Sequence, residues 1–317
     1  MRVIVTGATG FIGSNLTFRL LADRHEVHLI VRRQADFWRL ETKRNELFLH
    51  PVELDDPQGL KQTFLEIQPH WIFHLATFGA YSFQDNLAQM VATNIMGTAN
   101  VLQACEASGF EAVVIGGSSS EYGFKNHAPK ETDFLEPNSY YAVTKAASTF
   151  LSCLISRRLQ LPITTLRLYS AYGPYEEPTR LLPRLIMFGF KREYPPLVSP
   201  HVARDFVYVD DIVEAFLLAA KTSPVELGAI YNVGSGLQSR IQDIVEIVRN
   251  QLSIESAPPW GKMENRLWDT AVWVADSSKI RRDLQWQPKV ALESGIAKMI
   301  HWLRDNKAMY GRSLQSC

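Results

Sequence analysis

The chain has 317 residues, 46% of them hydrophobic, and its 33 lysines and arginines are balanced by 33 aspartates and glutamates. That length is enough to bury a large core in one large or two closely joined domains. The even charge, with no polybasic run, argues against nucleic acid or an anionic membrane as partner, and no apolar stretch approaches the ~20 residues that span a bilayer.

Met1 leads straight into a strand-like run, so no secretory leader is expected and a cytoplasmic location is. Cys105, Cys153 and Cys317 are too scattered for a zinc site or a disulfide framework. The first two lie on apolar helical segments and are expected to be buried.

The apolar run Val3-Ile4-Val5 predicts a strand over Arg2–Thr6. It enters Thr6-Gly7-Ala8-Thr9-Gly10-Phe11-Ile12-Gly13 and then an apolar helix from Phe11 to Leu21. Glycines spaced three apart let the backbone turn sharply, approach a phosphate and pack the helix on the strand. The helix N-terminus adds free N–H groups and a partial positive charge, so this turn is expected to hold a dinucleotide pyrophosphate.

Further strands are predicted over Glu26–Val31, Leu47–Val52, Trp71–Leu75, Ala112–Ile115 and Ile163–Leu168. Helices are predicted over Pro57–Ile67, Leu87–Ser108 and Tyr140–Leu159; Asp56-Pro57 is a capping carboxylate followed by proline at the first helical position. Such alternation implies a doubly wound parallel α/β sheet over residues 1–168. Beyond Leu168, prolines 174, 178, 183, 195, 196 and 200 punctuate short segments, and five tryptophans gather from Trp260 onward. The expectation is a smaller C-terminal α/β domain over most of 169–317, with residues 203–235 returning to the first domain through a strand at Ile230–Val233.

Tyr141 and Lys145 lie four apart at the start of the predicted Tyr140–Leu159 helix and so share a face. An ammonium beside a phenol stabilises the phenolate, which is expected to draw the tyrosine from ~10 toward working pH as an acid/base. Tyr140 has Thr144 at the same offset and cannot play this part. Gly116-Gly117-Ser118-Ser119-Ser120-Glu121-Tyr122-Gly123 follows a predicted strand, at the sheet edge where ligands sit in doubly wound folds. Hydroxyls there can hold a substrate oxygen beside the tyrosine.

Taken together, the glycine turn, the Ser118/Tyr141/Lys145 set, His74-Leu75-Ala76, Asn94, Arg167 through Gly173-Pro174 and Arg204-Asp205-Phe206-Val207-Tyr208-Val209-Asp210-Asp211 make the chain resemble an extended short-chain dehydrogenase/reductase of the branch that modifies nucleotide-diphospho-sugars. The likeness runs nearly the whole length, to about Trp302. It implies an NAD(P)-binding Rossmann domain, a smaller sugar-nucleotide domain, hydride transfer at a sugar carbon, usually C4, and a homodimer built on two apolar helices. It further implies that Ser118 holds the reacting sugar oxygen, Tyr141 is the acid/base and Lys145 binds the nicotinamide ribose. Cofactor contacts are implied at Gly7, Thr9, Gly10, Phe11, Ile12, Gly13, Leu54, Leu75, Ala76 and Asn94. Substrate contacts are implied at Thr77, Tyr81, Ser119, Ser120 and Ser170, with Arg204 and Arg266 on the diphosphate; the family often has Asn where Ser170 stands. Ser82 and Gln84 are weaker candidates for the sugar pocket. The 175–180 and 260–273 stretches are expected to shape the nucleotide end.

The second strand ends in Arg32-Arg33 rather than the carboxylate that holds the adenosine ribose in NAD enzymes. Two guanidiniums favour a 2′-phosphate, so NADP(H) is expected ahead of NAD(H). That preference points first to a 4-keto-sugar-nucleotide reductase, with a nucleotide-sugar 4-epimerase as the alternative. A 4,6-dehydratase ranks third, because the place of its carbon-acid base falls on Ser120, with Glu121 one residue too far on. Last comes a silent dinucleotide-binding sensor.

Overall fold

The structure, a computed structural model, describes residues 1–265 and 269–311. In chain order its elements run β1 (Arg2–Thr6), α1 (Phe11–Ala22), β2 (Glu26–Val31), β3 (Phe48–Pro51), α2 (Pro57–Ile67), β4 (Trp71–His74), α3 (Leu87–Met90), α4 (Gly97–Ser108) and β5 (Ala112–Ser118). There follow α5 (Tyr140–Leu159), β6 (Ile163–Leu168), β7 (Ser170–Tyr172), α6 (Leu181–Gly189), β8 (Ala203–Arg204), β9 (Phe206–Tyr208) and α7 (Val209–Lys221). The last are β10 (Ala229–Val233), β11 (Ser239–Arg240), α8 (Ile241–Leu252), α9 (Ser278–Leu284), α10 (Leu292–Asp305) and α11 (Lys307–Gly311).

Seven strands form one parallel sheet in the order β10-β6-β5-β4-β1-β2-β3. Strands covered on both faces need apolar side chains throughout, which is why Val3, Ile4 and Val5 are wholly buried. One face packs on α1 and α7 through Leu16, Leu20, Phe216 and Leu217. The other packs on α2 and α4 through Leu60, Phe64, Val101 and Leu102. A separate core beneath α6, α8 and α10 gathers Leu185, Ile186, Ile244, Val248, Met299 and Leu303.

Where boundary signals are local, elements begin and end as expected. Asp56 accepts a hydrogen bond from the Gly59 amide at 2.9 Å, with Pro57 opening α2. Ser139 caps α5 by accepting from the Ala142 amide, and Gln160 closes that helix in the left-handed conformation at φ 56°.

Two elements differ from expectation. The 87–108 stretch is not one continuous helix, because a π-helical segment, Val91–Met96, separates α3 from α4. Such turns cluster at functional sites, and this one holds Asn94. Strand β5 extends three residues further than expected, since Gly116 and Gly117 continue the ladder with β6 instead of turning. A Cβ on Gly117 would lie 2.9 Å from Thr165 Cγ2, so the glycine serves close strand packing.

Among the described residues no helix is long and apolar enough to cross a membrane. Cys105 and Cys153 are buried; Cys317 lies outside the described residues.

Gly13 is the point where α1 presses hardest on the turn, since a Cβ there would lie 2.2 Å from the Gly7 carbonyl oxygen. Gly13→Ala is therefore expected to cost about 1–3 kcal/mol by overpacking. Urea unfolding should show a lower midpoint with an unchanged slope.

Candidate active site

The sheet order reverses between β1 and β4, and connections leaving their carboxyl ends diverge to opposite sides. A cleft of about 1250 Å³ opens there. Its floor is backbone: Gly7 has φ +70°, and a Cβ on it would sit 2.5 Å from the Ala76 nitrogen. Gly10 caps α1 without a side chain, and Gly10 through Gly13 line the cleft. Unsatisfied amides at a helix N-terminus suit an anion, so this floor fits a dinucleotide pyrophosphate.

Thr9, Leu54, Leu75, Ala76 and Arg32 also line the cleft. Arg33 does not; its backbone amide donates to Glu53 Oε1 at 3.0 Å. Asp36 stands on the wall with Arg32.

Asn94 likewise lies behind the wall rather than on it. Its amide oxygen accepts from the Phe78 amide (2.8 Å) and from Thr77 Oγ1 (3.1 Å), and its nitrogen donates to the Phe78 carbonyl (2.8 Å) and Thr144 (2.9 Å). The buried amide thus ties the 77–79 loop to α5, and the π segment brings it within reach. Gln84 is similarly spent, accepting from the Gly79 and Tyr81 amides. His74 bridges Thr6 (2.7 Å) and Thr98 (3.0 Å), and burial pushes its pKa down to about 3, so it is a neutral structural strut.

Thr77, Ser118, Ser119, Ser120, Tyr141 and Lys145 converge on the same cleft. Side chains of Ser118 and Thr77 hydrogen-bond the Tyr141 phenol, and Ser118 Oγ lies 2.7 Å from Ser120 Oγ. The phenol's protonation runs against expectation. Burial raises the Tyr141 pKa, with the two hydrogen bonds and Arg180 only partly opposing the rise. Lys145 is instead anchored to the Gly116 carbonyl at 2.5 Å, and burial pushes its ammonium down to about 8. In a dry cleft both groups drift toward their neutral forms.

Glu121 is fully buried beneath this row. One oxygen accepts from the Ser118 amide at 2.8 Å and the other from Arg167 Nε at 2.8 Å. Arg167 also donates to the Tyr122 hydroxyl, which donates onward to Asn232. Both carboxylate oxygens are committed, so Glu121 is not placed to take a proton from carbon.

At the far end Arg204 donates to Asp269 at 2.5 Å and to the Ala203 carbonyl, with its guanidinium 5.4 Å from the Trp273 ring. Arg204, Ser170 and Trp273 line the cleft; Arg266 lies outside the described residues. Tyr81 is on the wall, its phenol pushed up by burial.

Sequence reasoning missed a group of buried charges. Arg39 donates to the Thr9 carbonyl, the Tyr175 carbonyl and Glu177, linking the glycine turn to the 175–180 segment. That segment, expected at the nucleotide end, lies by Tyr81, and Arg180 is close enough to act on the Tyr141 phenol. Charged residues in a proline-flanked loop read as solvated, and no local signal announces their burial.

A model of the GDP-mannose 4,6 dehydratase family matches residues 4–299. The UDP-glucose 4-epimerase of Mycolicibacterium smegmatis is 30% identical, with 96% of this chain and 99% of the relative covered. The UDP-glucuronate 4-epimerase of Thermodesulfobacterium geofontis is 29% identical, with 96% of each covered. Among solved structures, the UDP-glucuronic acid 4-epimerase of Bacillus cereus, in complex with UDP-glucuronic acid and NAD, superimposes with a TM-score of 0.83 at 26% identity, covering 96% of this chain and all (100%) of that one.

Glu121→Gln would leave Arg167 an uncompensated buried cation, with an expected stability loss of about 3–5 kcal/mol. Denaturant titration checks this; a change under 1 kcal/mol would mean the pair is solvated.

Proposed function

The chain belongs to the GDP-mannose 4,6-dehydratase family of extended short-chain dehydrogenases/reductases, enzymes that act on nucleotide-diphospho-sugars with a nicotinamide dinucleotide, and from that premise we propose that it is a nucleotide-sugar 4-epimerase. The 4-keto reductase expected first from the sequence gives way, because the relatives just described are 4-epimerases. The observation that carries the choice over a dehydratase is Glu121, whose two oxygens are held by Ser118 and Arg167 while serines fill the neighbouring positions. Serine is a poor base for a carbon acid.

The residues assigned to the cofactor are the glycine turn from Gly7 to Gly13 for the pyrophosphate, Arg32 and Asp36 for the adenosine ribose, and Tyr141 with Lys145 for the nicotinamide end. The dinucleotide, when bound, supplies the acceptor and later the donor of the C4 hydrogen. NAD(H) is the better reading over the NADP(H) first expected, since only one of the two arginines lines the wall and a carboxylate, Asp36, lines it as well. A carboxylate there accepts from a ribose hydroxyl and repels a 2′-phosphate. Arg39 also favours cofactor retention, since its bonds to Thr9, Tyr175 and Glu177 fasten the turn to the opposite side of the cleft.

In the proposed reaction Ser118 holds the C4 oxygen and Tyr141 removes its proton. After the 4-keto sugar has turned over, Tyr141 returns that proton to the oxygen on the opposite face. Arg204 and the wall around Trp273 are assigned to the diphosphate and base. A homodimer through α5 and the 87–108 stretch is supported by an apolar face on which Met96 (53%), Val143 (49%), Phe150 (61%) and Leu154 (62%) stand exposed.

Two measurements test this reading. Purified protein given UDP-sugars and no added cofactor should form the C4 epimer, release NAD on denaturation, and lose roughly 10²–10⁴-fold in kcat on Tyr141→Phe. NADPH consumption with no epimer formed would restore the reductase. Phe150→Asp with Leu154→Asp should give a monomer by light scattering; an unchanged mass would remove that face from any assembly.

A further inference from the structure

One buried carboxyl in the cleft has no part in the chemistry so far. Glu176 is 7% exposed at its side chain and lines the cleft, yet its Oε2 has no hydrogen-bond partner. The nearest cation, Arg180, is 37% exposed and stands 3.9 Å from the other oxygen, too far for a hydrogen bond. Arg180 opens α6, lies 6.0 Å from the Tyr81 ring and acts on the Tyr141 phenol. That places the pair beside the sugar's reacting carbon. On a hexopyranose the C6 substituent is separated from C4 by one ring carbon, so a group flanking the C4 oxygen also reads C6.

The other charges nearby have partners: Arg39 bonds Glu177, and Glu121 bonds Arg167. A buried carboxyl with one oxygen unpartnered is stable when protonated, and in that form it donates a hydrogen bond. Resting on the 4-epimerase reading, we propose that Glu176 and Arg180 form a subsite for an anionic C6 substituent, making the substrate class a nucleotide-diphospho-hexuronate. Arg180 presents its guanidinium to the sugar carboxylate, and the protonated Glu176 gives that carboxylate an O–H from Oε1, the oxygen beside Arg180, while the buried Oε2 stays behind it.

Burial pushes Glu176 up to about 8, with Arg180 and the Gly173 amide opposing and Glu177 reinforcing the rise. Tyr81, Tyr172 and Tyr310 also face it and feel its charge. Below about pH 8 the carboxyl is neutral; above it the carboxylate repels an anionic sugar.

The test compares UDP-glucuronate with UDP-glucose from pH 6.5 to 9. The wild-type protein should favour glucuronate by tenfold or more in kcat/KM, an assumed threshold worth about 1.4 kcal/mol, and its KM for glucuronate should climb as pH passes about 8. Arg180→Leu should lower kcat/KM for glucuronate roughly ten- to a hundredfold more than for glucose, the scale of a charged hydrogen bond, since its effect on the Tyr141 phenol falls on both sugars alike. Arg180→Lys should fall between. Glu176→Gln keeps a donor and should abolish the alkaline climb in KM. Equal losses on both sugars with Arg180→Leu would put that arginine on the shared diphosphate and overturn the proposal, as would a wild-type preference for glucose. Absence of epimerisation with either sugar would instead overturn the 4-epimerase reading beneath it.

Discussion

The active site exists because two backbones touch where the sheet reverses. Gly7, leaving β1, presses on Leu75 and Ala76, leaving β4, with no room for a Cβ between them. The connections then part to opposite sides of the sheet and the cleft opens between them. A floor made of backbone has a chemical consequence. Phosphate is met by amides and the end of α1 rather than by side-chain cations, so the wall needs few charges for the dinucleotide. Those it does carry are left for other ligands.

The second constraint is the ion pair between Glu121 and Arg167, both at most 1% exposed. A buried pair is weak evidence for stability, since desolvation offsets most of the attraction. Its effect here is on shape. Glu121 grips the Ser118 amide while Arg167 comes from the neighbouring strand β6, so the end of β5 and the start of the serine row are held in one register. The row of hydroxyls on the cleft wall and the commitment of both Glu121 oxygens have the same cause.

How much of this could be read in the sequence depends on how local each signal is. The bounds of α2 and α5 were legible because Asp56, Pro57 and Ser139 carry their caps with them. The glycine turn after β1 was legible because its glycines are demanded by contacts within a few residues or directly across the sheet. The 87–108 stretch was not, since its π segment answers to Phe78 and Thr144, distant in sequence. Gly116-Gly117 looked like a turn because only Thr165 on β6 requires glycine there. Asn94 was assigned to the cofactor by resemblance and Arg33 by its place after the second strand, yet neither lines the cleft. Arg39 and Glu176 owe their roles to burial and Arg180 to the loop that carries it beside Tyr81, neither of which a charged stretch of sequence advertises.

The same desolvation that hides these residues sets the chemistry's direction. Tyr141 is raised, Lys145 lowered and Glu176 raised, so each group rests nearer its neutral form than it would in water. A phenol held this way keeps its proton until positive charge gathers beside it. Arg180 supplies only part of that charge from the protein, and the buried Glu121 carboxylate works against it. Proton removal is thereby coupled to assembly of the complete site, and Tyr141 left alone in its pocket is a poor base. The expected pairing of tyrosine and lysine was correct in spacing. What spacing cannot convey is that burial works against both partners, so that the shift toward an active base has to come from what binds between them.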